Sequence, residues 1–160
     1  MISASQFILA LIIVFLGLFV GLFIAFFTKE ELKPGKHHFI LLQWILPFIS
    51  LVFLVVFFNN YFVWAIIIIF VFLYIALFRK HRQFLYWALS IIFFISVVDK
   101  TLFWLNSLII FIYGLSEGSL YCFENQKKSK LELFAGLFKQ HYIFLVIAIV
   151  LFAINIFIAA

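Results

Sequence analysis

Five long stretches of the chain carry almost no charged residues, and this pattern constrains the fold more than any other feature. They cover residues 7–27, 39–58, 61–78, 84–115 and 142–159. A helix that crosses the hydrocarbon core of a bilayer needs about 20 apolar residues. Hydrophobic residues make up 69% of the chain and charged residues 11%, against about 45–50% and about 25% in soluble domains. The sequence therefore predicts an all-α, polytopic helical membrane protein surrounded by the lipid bilayer.

The fourth stretch, residues 84–115, is too long for one comfortable span. A single helix of that length would measure about 48 Å at ~1.5 Å per residue, whereas the hydrocarbon core is about 30 Å thick. Asp99 and Lys100 lie near its middle. If they were buried, each would cost roughly 2.5–3.5 kcal/mol, and adjacent residues point to different sides of a helix. In the alternative, Asp99, Lys100 and Thr101 form a short external turn, where Asp99 and Thr101 cap the next helix.

The distribution of basic residues favours the turn. With it, the chain has six short spans, over residues 7–27, 39–58, 61–78, 84–98, 102–121 and 141–159. The segments 28–38, 79–83 and 122–140 then share the cytoplasmic side and contain 10 of the 11 Lys and Arg residues. Without the turn, the lysines of the segment 122–140 would lie outside, against the positive-inside rule. We therefore predict one integral membrane domain, residues 1–160, with the N-terminus and C-terminus outside, in a prokaryotic cytoplasmic membrane.

The segment that precedes the last span leaves two interpretations open. Leu131, Phe134, Leu137 and Phe138 recur at helical spacing, with charged residues between them. Such a segment can form a short amphipathic helix that lies in the cytoplasmic membrane interface. It can equally lengthen the last helix toward the cytoplasm.

Small residues follow one side of the first span. Gly17 and Gly21 form a GxxxG pair, and Ala10 and Ala25 extend the stripe at similar spacing. Small side chains let two helix backbones approach closely, which is the basis of GxxxG packing in membranes. The stripe predicts a helix–helix contact, either within the chain or with a partner subunit.

Polar residues inside the spans are few. The second span holds Gln43, Pro47 and Ser50, and Pro47 removes the helix hydrogen bond to the carbonyl of Gln43. Asn106 lies in the fifth span and Asn155 in the sixth. These five positions can line a solute path through the bundle, or they can hold neighbouring helices together by hydrogen bonds.

Motifs for catalysis or for a cofactor are missing. His37, His38, His81 and His141 lie at predicted cytoplasmic span ends near Glu117 and Glu124, but without HxxxH or HExxH spacing. Without such spacing the sequence predicts no metal and no cofactor. Because nucleophile motifs are also lacking, it predicts that the protein is not an enzyme. The segment "YGLSEGSLY" places Ser116 and Glu117 between Gly114 and Gly118, and we interpret it as a flexible helix end or cap.

The leading functional hypothesis is a non-enzymatic structural or accessory membrane component that packs with itself or with other membrane proteins. It predicts that the polar residues are each tied to a neighbouring helix and that the Gly17–Gly21 stripe is exposed or at a subunit contact. The alternative is a small solute or ion transporter or channel, with a water-reachable path lined by Gln43, Ser50 and Asn106. A lipid-modifying enzyme that uses the histidines and Glu117 is the weakest of the three hypotheses. The net charge of +5 lies beside the apolar stretches, which suits lipid headgroups and argues against a nucleic-acid partner.

Overall fold

The structure is all-helical over the residues that it describes. The computed structural model describes residues 2–28, 32–58 and 82–159. The α-helices in these ranges are α1 (Ala4–Phe27), α2 (Leu32–Phe58), α3 (Arg82–Ile95), α4 (Lys100–Glu124) and α5 (Lys130–Ala159), with a short 3₁₀ segment, Ser96–Val98, between α3 and α4. These ranges contain no strand, so the all-α prediction is confirmed for the described part of the chain.

Four of these helices are long and apolar enough to cross a membrane. They are α1, α2 from Pro34, α4, and α5 as far as Phe157, while the apolar helix Phe84–Val98 is shorter. The predicted third span, residues 61–78, and residues 79–81 lie outside the described residues. The described ranges therefore hold five α-helices where six spans were predicted.

Two helices begin earlier than predicted. α2 begins at Leu32 and α5 at Lys130, so parts of the predicted loops 28–38 and 122–140 are helical. In the first turn of α5, the Glu132 side chain accepts a hydrogen bond from the Ser129 backbone N–H at 2.8 Å, and the Glu132 backbone N–H donates to the Ser129 hydroxyl at 3.4 Å. Such a reciprocal Ser–Glu arrangement favours helix initiation at this point. The segment before the last span is thus a continuous extension of α5 and not a separate interfacial helix.

The residue pair in the middle of the fourth apolar stretch separates two helices. Asp99 has extended backbone angles, φ −121° and ψ 134°, and is the N-cap of α4. Its carboxylate accepts a hydrogen bond from the backbone N–H of Leu102 at 2.9 Å. Lys100 and Thr101 are exposed in the first turn of α4. The stretch therefore forms α3 and α4, joined by a tight break at residues 96–99.

Removal of the Asp99 cap will destabilise the start of α4. We expect Asp99→Ala to lower the free energy of unfolding by about 1 kcal/mol, because the Leu102 N–H loses its acceptor. The measurement is SDS-induced unfolding in mixed micelles. Lys100→Ala, at the exposed neighbouring position, is the control and should leave stability unchanged; equal losses in both variants would contradict a capping role.

Aromatic rings join four of the helices at one end of the bundle. The ring of Phe7 in α1 lies 3.9 Å from that of Phe152 in α5, 5.2 Å from that of Phe93 in α3, and 6.2 Å from that of Phe103 in α4. Phe7, Phe93 and Phe103 are buried. Aromatic contacts of this kind are worth about 0.5–1.5 kcal/mol beyond the area that they bury. They fix the relative positions of the helices that carry the polar residues described next.

Candidate functional site

The small-residue stripe of α1 lies against α4 inside the bundle. A Cβ atom built on Gly17 would lie 2.6 Å from the carbonyl oxygen of Phe111, and one built on Gly21 would collide with that of Leu115. Ala10 and Ala25 are 1% and 0% exposed. The stripe is therefore occupied by an internal contact and is neither exposed nor at a subunit contact in this arrangement.

The partner of the stripe is a second glycine pair, on α4. A Cβ atom on Gly114 would lie 3.1 Å from the backbone nitrogen of Leu18, and one on Gly118 would collide with the carbonyl oxygen of the same residue. The Ser119 hydroxyl adds a hydrogen bond to the carbonyl oxygen of Gly21 at 3.0 Å. The interpretation of this segment as a flexible helix end or cap is therefore wrong. Gly114 and Gly118 also have GxxxG spacing, and that signal could have identified the contact.

Ser50, Ser96 and Asn106 form a buried serine–asparagine cluster. The Ser50 hydroxyl donates to Asn106 Oδ1 at 2.6 Å, and Asn106 Nδ2 donates to Ser96 Oγ at 2.6 Å. Ser96 in turn donates to the carbonyl oxygen of Ile92 at 2.7 Å. All three polar side chains are 0% exposed. The cluster ties α2 and α4 to the 3₁₀ segment that follows α3.

Asn155 is not brought to this cluster. It is exposed on α5, beside Phe152 and Ile156 in an open pocket at the end of the bundle. The predicted set of path residues is thus divided between the buried interface of α2 with α4 and the surface of α5.

Substitution of Asn106 by alanine will lower the free energy of unfolding more than substitution of Asn155. Asn106→Ala removes two interhelical hydrogen bonds, and such bonds in membrane proteins average about 0.6 kcal/mol with a maximum near ~1.7. We expect Asn106→Ala to lower the free energy of unfolding by roughly 1 kcal/mol or more. The exposed Asn155→Ala is the matched control, with no expected change. Equal effects in SDS unfolding would show that the cluster does not hold the helices together.

The same face of α2 leads from Ser50 to Gln43. Gln43, Pro47 and Ser50 are all buried, and α2 remains helical through Pro47. Pro47 has no N–H to donate to the carbonyl of Gln43. The buried face of this helix therefore carries polar groups at two levels.

Gln43, Glu117 and His141 meet at the second level, and we call them the Glu117 cluster. Gln43 Nε2 donates a hydrogen bond to Glu117 Oε2. His141 Nε2 lies 3.5 Å from Glu117 Oε1. The exposed fractions are 0% for Gln43, 3% for Glu117 and 0% for His141. One carboxylate thus joins α2, α4 and α5 in the interior.

The position of each member follows from helical spacing. In α5, His141 continues a buried stripe formed by Leu133, Leu137, Phe144 and Ala148, at the spacing of one helix face. In α4, the glycine pair on either side of Glu117 packs on α1, which leaves the carboxylate toward α2 and α5. The sequence signal that could have identified His141 is a polar residue within an otherwise apolar stripe at helical spacing.

Tyrosine rings enclose the Glu117 cluster. The ring of Tyr86, in α3, lies 5.2 Å from the ring of His141 at an interplanar angle of 80°, and 5.9 Å from the ring of Tyr113. Within the described ranges, the Tyr86 hydroxyl and both ring nitrogens of His141 have no hydrogen-bond partner. The cluster therefore combines one satisfied carboxylate with buried polar atoms that still have hydrogen-bonding capacity.

This placement of Glu117 corrects the interpretation of its segment as a flexible helix end or cap. Glu117 is instead buried well before the end of α4 at Glu124. Among the described residues no three His, Cys, Asp or Glu side chains come together as a metal site; His37 and His38 are exposed, and His81 lies outside these residues. No protein-family model matches the chain, and neither a curated protein nor a solved structure matches it.

Proposed function

We propose that the chain is a six-span integral membrane protein with both termini outside the cytoplasm, and that it serves as a non-enzymatic structural or accessory component. In this proposal it packs with further copies of itself or with other membrane proteins of a prokaryotic cytoplasmic membrane. Four long apolar helices support the membrane location. The concentration of Lys and Arg in alternate connecting segments supports the orientation.

One observation carries the structural role: the interior polar side chains are used to join helices. Ser50 and Asn106 are hydrogen-bonded to each other, and Gln43 is hydrogen-bonded to Glu117. Gln43, Ser50 and Asn106 are all 0% exposed. A transport path would instead need these groups to face a volume that water can reach.

The orientation is tested by labelling single cysteines in intact cells. Cys122 is the one native cysteine and is buried, so Cys122→Ser supplies the background. In that background we expect Lys100→Cys to react with an impermeant maleimide from outside, and Lys127→Cys to react only after permeabilisation. Both positions are exposed, so reaction at position 127 in intact cells would contradict the topology.

The accessory role is tested by the state of the protein in its own membrane. Extraction into native lipid nanodiscs should give a particle with more protein mass than one 18.8 kDa chain, in a fixed stoichiometry. Proteoliposomes of the purified protein should show no solute or proton flux above empty liposomes. A single chain per nanodisc together with a flux that Gln43→Leu abolishes would contradict this role.

A small transporter or channel is the second candidate, and the Glu117 cluster is the observation that favours it. An ionisable side chain inside a membrane bundle is rare and often marks an ion or proton pathway. Gln43 contacts it from the helix face that also carries Ser50. A pH-sensitive dye inside proteoliposomes distinguishes the candidates, because only a proton pathway acidifies the interior after an external acid pulse.

A further inference from the structure

We propose that one end of the bundle, where α1 and α4 finish and α2 and α5 begin, binds the headgroups of anionic phospholipids. The amines of Lys36, Lys128 and Lys130 supply the positive charge, and we call these three residues the lysine site. The site requires the chain to lie in a membrane. It does not depend on whether the chain is an accessory component or a transporter.

Each amine of the lysine site lies over the face of an aromatic ring. The distances from Nζ to the ring centre are 4.9 Å for Lys36 on Phe123, 5.9 Å for Lys128 on Tyr121, and 5.7 Å for Lys130 on Phe26. An ammonium group within about 6 Å of a ring centre is attracted to the ring and keeps its charge. These contacts therefore restrain three long side chains without neutralising them.

The rings under the amines belong to one surface. The ring of Phe26, in α1, lies 6.0 Å from that of Phe134, in α5. The Tyr121 hydroxyl, from α4, lies against Gly136 of α5, where an added Cβ atom would collide with it. Phe123 follows two residues later in α4. The three amines are therefore gathered at the same end of the bundle, although they come from different parts of the sequence.

Positive charge is in excess at this end. Lys127 adds a further exposed amine, whereas the acidic residues of the same segments are Glu124 and Glu132. Glu132 Oε2 accepts hydrogen bonds from the backbone N–H and the hydroxyl of Ser129 at 2.8 and 2.9 Å. In the described part of the chain, no amine of the lysine site forms an ion pair with a carboxylate. The surface is therefore complementary to a negatively charged phosphate group.

The depth of the lysine site favours a lipid headgroup over a free phosphate ion. Trp44 and Tyr142 are 40% and 44% exposed and each directly follows a member of the Glu117 cluster, and exposed rings of this kind mark the membrane–water interface. Tyr121 and Phe123 lie four and six residues beyond Glu117 in α4, which is about 6–9 Å along the helix. The polar layer on each side of a bilayer is about 5–8 Å thick. The amines over these rings are thus at the depth of the lipid phosphates.

Native mass spectrometry of the purified protein tests the lysine site. The protein is offered equal amounts of phosphatidylglycerol and phosphatidylcholine with the same acyl chains. We expect the wild type to retain phosphatidylglycerol preferentially. Lys36→Gln, Lys128→Gln and Lys130→Gln, combined in one variant, should reduce this preference by about fivefold for each lysine, which corresponds to the ~1 kcal/mol that a lysine contributes near an anionic membrane surface.

A second triple variant is the matched control. Lys100→Gln, Lys127→Gln and Lys139→Gln together remove the same charge from exposed lysines. We expect this variant to keep most of the preference for phosphatidylglycerol. Equal losses in the two triple variants would overturn the proposal, because lipid binding would then follow net charge alone.

Thermal unfolding of the wild-type protein in detergent gives a test that needs no variant. A ligand that binds only the folded state raises the unfolding temperature. Phosphatidylglycerol should therefore raise it more than phosphatidylcholine does, and added salt should reduce the difference by screening. Equal stabilisation by the two lipids would overturn the proposal, and the same stabilisation by inorganic phosphate alone would overturn the assignment to a lipid.

Discussion

Gly118→Ala will lower the free energy of unfolding by up to about 3 kcal/mol, the upper end of the usual cost of overpacking. The added methyl group collides with the carbonyl oxygen of Leu18, which is backbone and cannot rotate away. α1 and α4 run parallel at this contact, since Gly17 lies against Phe111 and Gly21 against Leu115. The two helices must therefore separate to make room for the methyl group. SDS unfolding in mixed micelles measures the loss.

Gly35→Ala is the matched control for this prediction. A Cβ atom on Gly35 would lie 3.5 Å from the Phe39 ring, which is an ordinary contact. Because alanine is a better helix former than glycine, we expect no loss and a gain of up to about 1 kcal/mol. If Gly35→Ala were as harmful as Gly118→Ala, the α1–α4 contact would not be the cause.

The double variant gives a second check on the same contact. A Cβ atom on Gly21 collides with the carbonyl oxygen of Leu115, so Gly21→Ala requires the same separation of α1 from α4. Once the helices have moved apart for one methyl group, the second needs little further movement. We expect the cost of Gly21→Ala with Gly118→Ala to be clearly smaller than the sum of the single costs.

The parts of the fold that the sequence predicted depend on strong local signals. The apolar stretches define α1, α2, α4 and α5, and the burial cost of Asp99 and Lys100 predicts the break before α4. The sequence predicts the start of α2 too late and leaves the start of α5 open between two interpretations, because lysines and histidines next to apolar residues are also typical of loops. In the structure these residues extend the helices beyond the most apolar stretch.

The site could be predicted only in fragments, because its contacts depend on which helices are neighbours. Gln43 and Glu117 are 74 residues apart in the sequence, and periodicity does not reveal that α2 packs on α4. The sequence favours a helix end near Glu117, because Glu124 and several lysines follow it. The glycines on either side, Gly114 and Gly118, carried the missing information, since a GxxxG pair belongs inside a packed helix.

Glu117→Leu will be the most harmful single change in the Glu117 cluster. We expect a loss of about 3–5 kcal/mol, the usual cost of removing one partner of a buried pair. The His141 imidazole and the Gln43 amide would remain buried without the carboxylate that they contact. Lys100→Leu, at an exposed position of the same helix, is the control and should stay within about 0.5 kcal/mol of the wild type.

Replacement of the whole cluster separates its electrostatic role from its packing role. A triple variant with leucine at positions 43, 117 and 141 removes every polar partner at once, and exchange of a buried polar group for apolar residues is often neutral or stabilising by about 1–4 kcal/mol. We therefore expect the triple variant to unfold at higher SDS than Glu117→Leu, although it carries more substitutions. If it is instead the least stable of the set, the side chains of this cluster are required for their shape and not for their charge.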